Sequence, residues 1–531
     1  MKRGDIVDLK IESIAFGGAG VGRVPVEVPV TSGVPGTMAV FVEDTVPGDD
    51  VRVKIGGKKR NYSFGYIESF NKKAGNRVEP FCKHYCSARG ERCGGCTLQN
   101  LSYEDQLVVK EQNVRDAIAR IGGLDEALVK PIIGCNEPKY YRNKMEFSFS
   151  RSLDGELTFG LHVRRRHHDL VNLEECFLLA PYVGKFVSVM REFFRGLDEK
   201  GLVGRHGDDE VKDEFGNKES ANSWQFKSAP TLRSLVVREG KRTGEIMINL
   251  IAENGEARFL EEFLIVVREF FEKEVEGNRD FEECIVGEER KLCSVYYTHV
   301  RNKKGQPKGV DEQLLWGAET IKEKMIVGGA NNSRELLFEI SPQSFFQPNS
   351  LQAEKLYNLV IEAAELSGKE VVYDLYCGAG TIGLSLAAFA KHVYGIEINE
   401  SAILNARANA TTNNIENVTF EVGDVLKQIP DLAGCPEGCL DDGHGKPSGG
   451  CLAERPGVVI VDPPRNGLQP GVVDKIVEFG PGRVVYVSCN PTTLARDLNL
   501  FQKTGYNVLS VQPVDMFPHT YHIETVSILE C

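Results

Sequence analysis

The stretch VVYDLYCGAGTIGLSLA, residues 371–387, constrains this chain more than any other. An apolar run reaches an acid, Asp374, turns at Gly378 and Gly380, and continues into apolar helix-forming sequence. Glycine lets a backbone turn tightly and approach a ligand, and the helix beyond it presents free N-terminal amides. A second apolar segment, HVYGIEIN, carries Glu397, and a third, FEVGD, ends in Asp424. Strand, turn, helix and strand in this alternation predict an α/β fold after Pro342, a doubly wound parallel sheet with its ligand at the carboxyl edge.

The acids narrow the ligand. Glu397 follows the turn by about twenty residues, where a ribose diol needs a carboxylate acceptor. Asp374 precedes the turn, an arrangement that suits S-adenosylmethionine. A further buried strand, VVIVDPPRNGL at 458–468, runs into Asp462-Pro463-Pro464-Arg465. Amino-group methyltransferases end a D/N-P-P motif in an aromatic residue that stacks on the base, so Arg465 favours another chemistry.

YVSCNPTTLARDL, residues 486–498, puts Cys489 at the end of the next strand, facing the same edge. Free cysteine packs like a small hydrophobe, which is the bland reading. The functional reading is nucleophilic. Carbon 5 of uracil does not attack a methyl group unaided, whereas a thiolate added to carbon 6 makes carbon 5 enolate-like. The carbon 5 proton must then be removed before the thiolate leaves. Glu524, beside His522 in FPHTYHIETVSIL at the start of the final strand, is the candidate general base. An ordinary strand-start glutamate is the alternative.

With 531 residues, roughly two to four domains are expected. The chain is 41% hydrophobic and 26% charged, as in globular enzymes, and no apolar run is long enough to span a bilayer, so no membrane partner is expected. MKRGDIVDLKIES lacks the apolar core of a secretion signal, which points to the cytoplasm. In that reducing compartment the 14 cysteines read as metal ligands, catalytic thiols or packing rather than disulfides. A net charge of −13 argues against nonspecific nucleic-acid binding over the whole surface. Local basic patches remain as candidates: KKR at 58–60, RRRHH at 164–168 and RNKK at 301–304.

Residues 1–70 read as a small β-barrel of short alternating strands separated by glycine turns. A cysteine cluster follows, then a helix from Tyr103 to Arg120 opened by Ser102. Residues 130–310 are mostly strands, with helices near 181–195 and 255–275 and a hairpin signal at NKKGQPKG. Residues 433–456, rich in glycine and proline, are an inserted surface loop. Its Cys435, Cys439, His444 and Cys451 leave a second metal site open.

Taken in order, ISPQSFFQPN, DLYCGAGTIG, GIEIN, VDPPR, SCNPTTLARD and HIET resemble the motifs of the RNA uracil-5-methyltransferases, especially the iron-sulfur 23S ribosomal RNA type. IESIAFGGAGVGRV and VPGDDVRVKI resemble the RNA-binding TRAM barrel. The resemblance implies an OB-like TRAM barrel over 1–70, an iron-sulfur and central α+β RNA-binding domain over 75–100 and 125–335, and a Rossmann-like class I methyltransferase domain over 336–531. It implies Cys489 as nucleophile and Glu524 as base, with Gln347, Tyr376, Thr381, Glu397, Asp424 and Asp462 lining the S-adenosylmethionine site. Family members often carry an amide where this chain has Thr381. The family also holds a four-iron four-sulfur cluster on C-x5-C-x2-C and one distant cysteine. Here PFCKHYCSARGERCGGC offers Cys82, Cys86, Cys93 and Cys96 at different spacing, and Cys176 in LVNLEECFLLA resembles the distant ligand. The expected set is Cys82, Cys93, Cys96 and Cys176, with Cys86 as a substitute for Cys82 and zinc as the rival metal. The implied partner is 23S ribosomal RNA, with transfer RNA second; no protein partner is evident and a monomer is expected. An amino-group methyltransferase and a noncatalytic RNA-binding protein built on the barrel are the competing readings.

Overall fold

The computed structural model describes residues 1–26, 36–85, 92–152, 154–204, 229–276, 287–301, 309–329, 332–428 and 455–531. Five strands, β1 (Ile6–Ile14), β2 (Gly20–Val26), β3 (Gly36–Val42), β4 (Asp50–Lys58) and β5 (Tyr62–Lys72), close into a barrel in the order β1-β2-β3-β5-β4. The period of two accounts for it. Leu9, Ile11, Val40, Val42, Val51, Val53 and Ile55 share one interior, and polar neighbours face outward.

Helix α1 (Tyr103–Ala117) follows, with the Ser102 side chain accepting from the Asp105 amide at 3.1 Å as a helix cap should. It runs on as one π-helical turn, Ile118–Gly122, and stops where Gly123 adopts φ +63°. The helix expected to Arg120 therefore changes its winding near the end.

The central sheet contains β6 (Lys144–Arg151), β7 (Leu157–Val163), β8 (Arg166–Val171), β9 (Thr231–Glu239), β10 (Glu245–Glu253), β11 (Lys291–Arg301) and β12 (Gly309–Gly317), ordered β12-β11-β10-β9-β6-β7-β8. Only β10 and β11 run parallel, and the helix between them bridges that crossover. Helices α2 (Val183–Glu199) and α3 (Leu260–Glu274) pack phenylalanines such as Phe186, Phe194, Phe263 and Phe271 onto Phe147 and Phe159 of the sheet. β11 and β12 pair antiparallel as the hairpin signal implies; residues 302–308 of the turn lie outside the described residues.

A two-stranded hairpin, β13 (Ile321–Val327) and β14 (Arg334–Ile340), leads into α4 (Ser350–Ala364). Its Ile321, Met325 and Phe338 share a core with Leu356 and Val360 of α4, so a boundary at 335/336 falls inside β14. The last layer alternates β15 (Val371–Leu375), α5 (Thr381–Leu386), β16 (His392–Glu397), α6 (Glu400–Thr412), β17 (Val418–Val422), α7 (Val425–Gln428), β18 (Val458–Val461), α8 (Val472–Phe479), β19 (Arg483–Ser488), α9 (Pro491–Lys503), β20 (Asn507–Val514) and β21 (Glu524–Glu530). The sheet order is β17-β16-β15-β18-β19-β21-β20. The first five pair in parallel; β21 lies antiparallel to both β19 and β20. Both faces are covered: Val372, Ile460 and Val485 face α4, whereas Tyr373, Val459 and Val484 face α8 and α9. Among the described residues no helix is long and apolar enough to cross a membrane. The insertion, apart from Arg455 and Pro456, lies outside the described residues together with its Cys435, Cys439, His444 and Cys451.

Candidate active site

The carboxyl ends of β15 to β19 form one edge, and antiparallel β21 begins there. After β15 the chain enters a left-handed bend at Tyr376, φ +66°, followed by Gly378 at +53° and Gly380 at +78°. The Tyr376 and Cys377 amides bond back to the Ile396 carbonyl at 2.9 and 3.1 Å, fixing the bend against β16. A Cβ on Gly380 would meet Phe420 at 2.8 Å. The turn's Gly378, Gly380 and Gly383 have the spacing of a dinucleotide-binding turn as well, so spacing alone does not select the ligand.

The acids around this turn do. Glu397 accepts from the Gly378 amide at 3.3 Å and from the Asn399 amide at 2.9 Å. Tyr376 stands near Asp424, Asp497 and Glu397; burial first, then those acids in that order, push its phenol up to about 12. The Thr381 hydroxyl is held by Tyr357 of α4 at 3.0 Å. Asp374 is fully buried at the end of β15, and burial followed by the charge of Asp462 pushes it up to about 8, with the Gly383 backbone amide opposing.

At the other half of the edge, Ser488 ends β19 opposite Thr525 of β21, and the Thr525 hydroxyl donates to the Ser488 carbonyl at 3.2 Å. That register puts Cys489 and Glu524 at the same end of neighbouring strands. Asn490 caps α9, accepting from the Thr492 amide at 3.0 Å, and its side chain donates to the Arg465 carbonyl at 3.0 Å. The DPPR and SCNPTT segments are thereby tied together. Cys489 is partly buried; burial first, then Glu524 and Asp462, push its thiol up to about 12, with Arg465 opposing. Glu524 is buried and its carboxyl is driven well above the usual range by burial, with Asp462 adding to the rise and Arg465 opposing it. Burial holds Asp462 near 7. His522 is pushed down to about 4, first by burial and then by Arg465, so its imidazole is neutral at physiological pH.

The nine residues between β20 and β21 deliver Glu524, and they are braced from four directions. Lys110 of α1 donates to Asp515 at 2.6 Å and to the Phe517 carbonyl at 3.0 Å. The Thr97 and Leu98 amides, just after Cys96, donate to the His519 carbonyl at 2.8 and 3.1 Å. The Tyr141 hydroxyl donates to the Pro518 carbonyl at 3.1 Å, and Asn349, the cap of α4, donates to the Met516 carbonyl at 3.2 Å. Gln347 is buried two residues before that cap and offers its carbonyl to Asn143 at 2.7 Å. The structure thus gathers Asp462, Cys489 and Glu524 into one group and Tyr376, Glu397 and Asp424 into another, with Thr381 tied through Tyr357 to the side of Asp462 and Glu524. It ties Gln347 to the scaffold through its backbone.

Cys82, Cys93, Cys96 and Cys176 line a single pocket with Tyr85, Gln99 and Leu178. Burial raises all four thiols. Among the described residues no three Cys, His, Asp or Glu side chains converge on a point that could hold one ion. Cys86 lies outside the described residues. Of the basic patches, RRRHH is largely committed: Arg164 pairs with Asp44 of the barrel at 2.9 Å and donates to the Cys96 carbonyl, while Arg165 pairs with Glu43 at 2.6 Å. Most of RNKK lies outside the described residues. Lys58, Lys59 and Arg60 are exposed.

Two members of the edge were not reached from sequence as site residues. Tyr357 is fully buried, with Asp462, Asp374 and Glu524 all raising its phenol after burial does, and nothing in the helical stretch around it announces that place. Lys110 comes 405 residues before its partner, beyond any local pattern.

A parallel sheet of this order, with a glycine turn and acids at its carboxyl edge, defines an S-adenosylmethionine-dependent methyltransferase. The family model described as tRNA (uracil-5-)-methyltransferase matches residues 308–422 and 455–531. An uncharacterized RNA methyltransferase of Clostridium tetani is 34% identical over 529 residues, covering 100% of this chain and 97% of that protein. One from Halalkalibacterium halodurans is 34% identical over 530 residues, covering 100% and 98%. The crystal structure of Pyrococcus abyssi tRNA (uracil-54, C5)-methyltransferase in complex with S-adenosyl-L-homocysteine is similar with a TM-score of 0.62 at 25% identity, covering 98% of this chain and 100% of that one. The chain belongs to the RNA uracil-5-methyltransferase family.

Proposed function

We propose that this enzyme methylates carbon 5 of a specific uridine in 23S ribosomal RNA through a covalent bond to Cys489. The observation that carries the reading is the grouping of a thiol, a buried glutamate and Asp462 at one sheet edge, next to the glycine turn. S-adenosylmethionine supplies an electrophilic methyl group; Asp374, Tyr376, Thr381, Glu397, Asp424 and Asp462, with Gln347 from the neighbouring loop, hold it. The uridine is flipped out of its stack to reach the thiol. The Asp462 carboxylate takes the Cys489 proton and the sulfur bonds to carbon 6, so that the carbon 5–carbon 6 electron pair attacks the methyl group while the methyl–sulfonium bond breaks and its electrons stay on the departing S-adenosylhomocysteine. The Glu524 carboxylate then takes the carbon 5 proton, the ring double bond re-forms and the carbon–sulfur bond breaks, returning its electrons to sulfur. A carboxyl raised as Glu524 is makes a strong base once ionised, which suits removal of a carbon-bound proton.

The barrel is read as a TRAM-type RNA-binding domain over 1–70, the strand-rich region with the cysteine loop as the central RNA-binding domain, and the remainder from 336 as the methyltransferase domain. Cys82, Cys93, Cys96 and Cys176 are proposed to hold a four-iron four-sulfur cluster. Four thiols lining one pocket suit it. Zinc is the rival metal, since four thiols around one pocket also suit a tetrahedral ion.

Transfer RNA is the second substrate reading, favoured by the likeness to the Pyrococcus abyssi enzyme. Incubating the protein with labelled donor and separate ribosomal and transfer RNAs tests both. The expected result is 5-methyluridine in ribosomal RNA, abolished by Cys489→Ala; label confined to transfer RNA moves the substrate, and label on an exocyclic amine that survives Cys489→Ala overturns the chemistry.

A further inference from the structure

We propose that Lys110 and Asp515 are positioning residues for proton removal by Glu524, an inference that rests on the covalent reading above. Helix α1 presents Tyr103, Gln106 and Lys110 along one face, at the spacing that stacks side chains on a helix. All three reach the segment Asp515–Ile523. Lys110 is 1% exposed and Asp515 0%, with the two charges 2.6 Å apart. Asp515 then divides its oxygens: one takes Lys110 and the Phe517 amide at 3.2 Å, the other takes the Tyr103 hydroxyl at 2.8 Å. Gln106 accepts from the His519 amide at 3.0 Å, and its amide nitrogen lies 3.3 Å from Nδ1 of that imidazole. His519 holds φ +65°, a conformation that a non-glycine residue keeps only when its surroundings impose it.

Stability alone does not explain this pair. Burying two ions carries a desolvation penalty that their attraction must offset, and an apolar pair of equal volume is commonly as stable. What the ions supply is direction: a carboxylate with fixed partners on both oxygens sets where the chain leaves Val514 and where it re-enters the sheet. Val514 and Glu524 are paired across β20 and β21, so the clamp and the base bracket one loop. Neither Lys110 nor Asp515 lies in the donor turn or beside Cys489, so the step that depends on their placement is the last one. In that step the carbon 5 proton passes to the Glu524 carboxylate, the double bond between carbons 5 and 6 re-forms and sulfur leaves as thiolate.

A misplaced base therefore leaves a signature that general loosening does not. Methyl transfer proceeds, elimination stalls, and the enzyme accumulates covalently bound to methylated natural RNA. Lys110→Met, Tyr103→Phe and the reference variant Glu524→Gln are each mixed with uridine-containing RNA and labelled donor. Complexes that resist denaturing electrophoresis, single-turnover methyl transfer, turnover and donor affinity are then compared. Lys110→Met is expected to lower turnover by about a hundredfold, as angstrom-scale misplacement of a reacting group does, with donor affinity unchanged and labelled complex accumulating as in Glu524→Gln. Tyr103→Phe, which removes the hydroxyl shared by Asp515 and the Cys135 amide and leaves the Lys110 ion pair in place, gives the same pattern more weakly. Turnover and methyl transfer falling together without trapped complex overturns the positioning role, as does unchanged turnover in both variants. If Glu524→Gln traps nothing and wild-type protein forms no adduct with 5-fluorouridine RNA, the covalent reading itself has failed.

Discussion

At Cys489 two effects oppose each other: burial and the neighbouring carboxyls keep the proton on sulfur, whereas Arg465 favours the thiolate. Burial holds Asp462 near 7, and burial followed by the charge of Asp462 holds Asp374 near 8. A cationic donor prefers both ionised, so its affinity is expected to rise as pH increases from about 6 to about 8, with proton release on binding. Calorimetry in buffers of different ionisation enthalpy checks this; Asp374→Asn should flatten the rise, and a pH-independent affinity would contradict it. For the ligand-free protein the sign reverses. Above about pH 4 the unfolded chain has released these protons while the native state keeps them, so their contribution to stability declines as pH climbs to about 8. Cys489, Glu524 and the acids of the donor turn were legible because each follows or opens a recognisable strand. Tyr357 and Lys110 were not, because their roles exist only once distant segments pack.

At the scale of elements, the strand–turn–helix unit works through its left-handed positions. Gly380→Ala places a methyl group 2.8 Å from Phe420 at φ +78°. The cost is expected to be about 1–3 kcal/mol in unfolding free energy, with donor binding weakened because the turn must open. Denaturation with and without donor measures both; a variant with unchanged stability would show that the turn is not constrained as described. Periodicity revealed this layer and the barrel clearly, since apolar runs of five or six residues separated by glycine turns admit few alternatives. It did not reveal that β21 slots between β19 and β20 in the antiparallel sense, yet that reversal is what carries Glu524 to the edge holding Cys489.

Across the whole molecule, the barrel and central sheet are joined by charge. Asp44 of the barrel binds Arg92 and Arg164, and Arg164 also reaches the loop carrying Cys96. A basic run read from sequence as an RNA patch is thus partly an internal strut, a distinction composition cannot make. Lys58, Lys59 and Arg60 stay exposed, and replacing all three with glutamine should weaken RNA binding and flatten its salt dependence by a log–log slope of about two to three. An unchanged slope would place the RNA elsewhere. The proposed chemistry stands on the bond between sulfur and the pyrimidine ring. Mass spectrometry of the protein after incubation with 5-fluorouridine-substituted RNA and labelled donor tests that bond. Fluorine cannot leave as the proton does, so a stable methylated nucleotide adduct is expected on the peptide containing Cys489 and none with Cys489→Ala. Methylated RNA with no adduct on that peptide would contradict it.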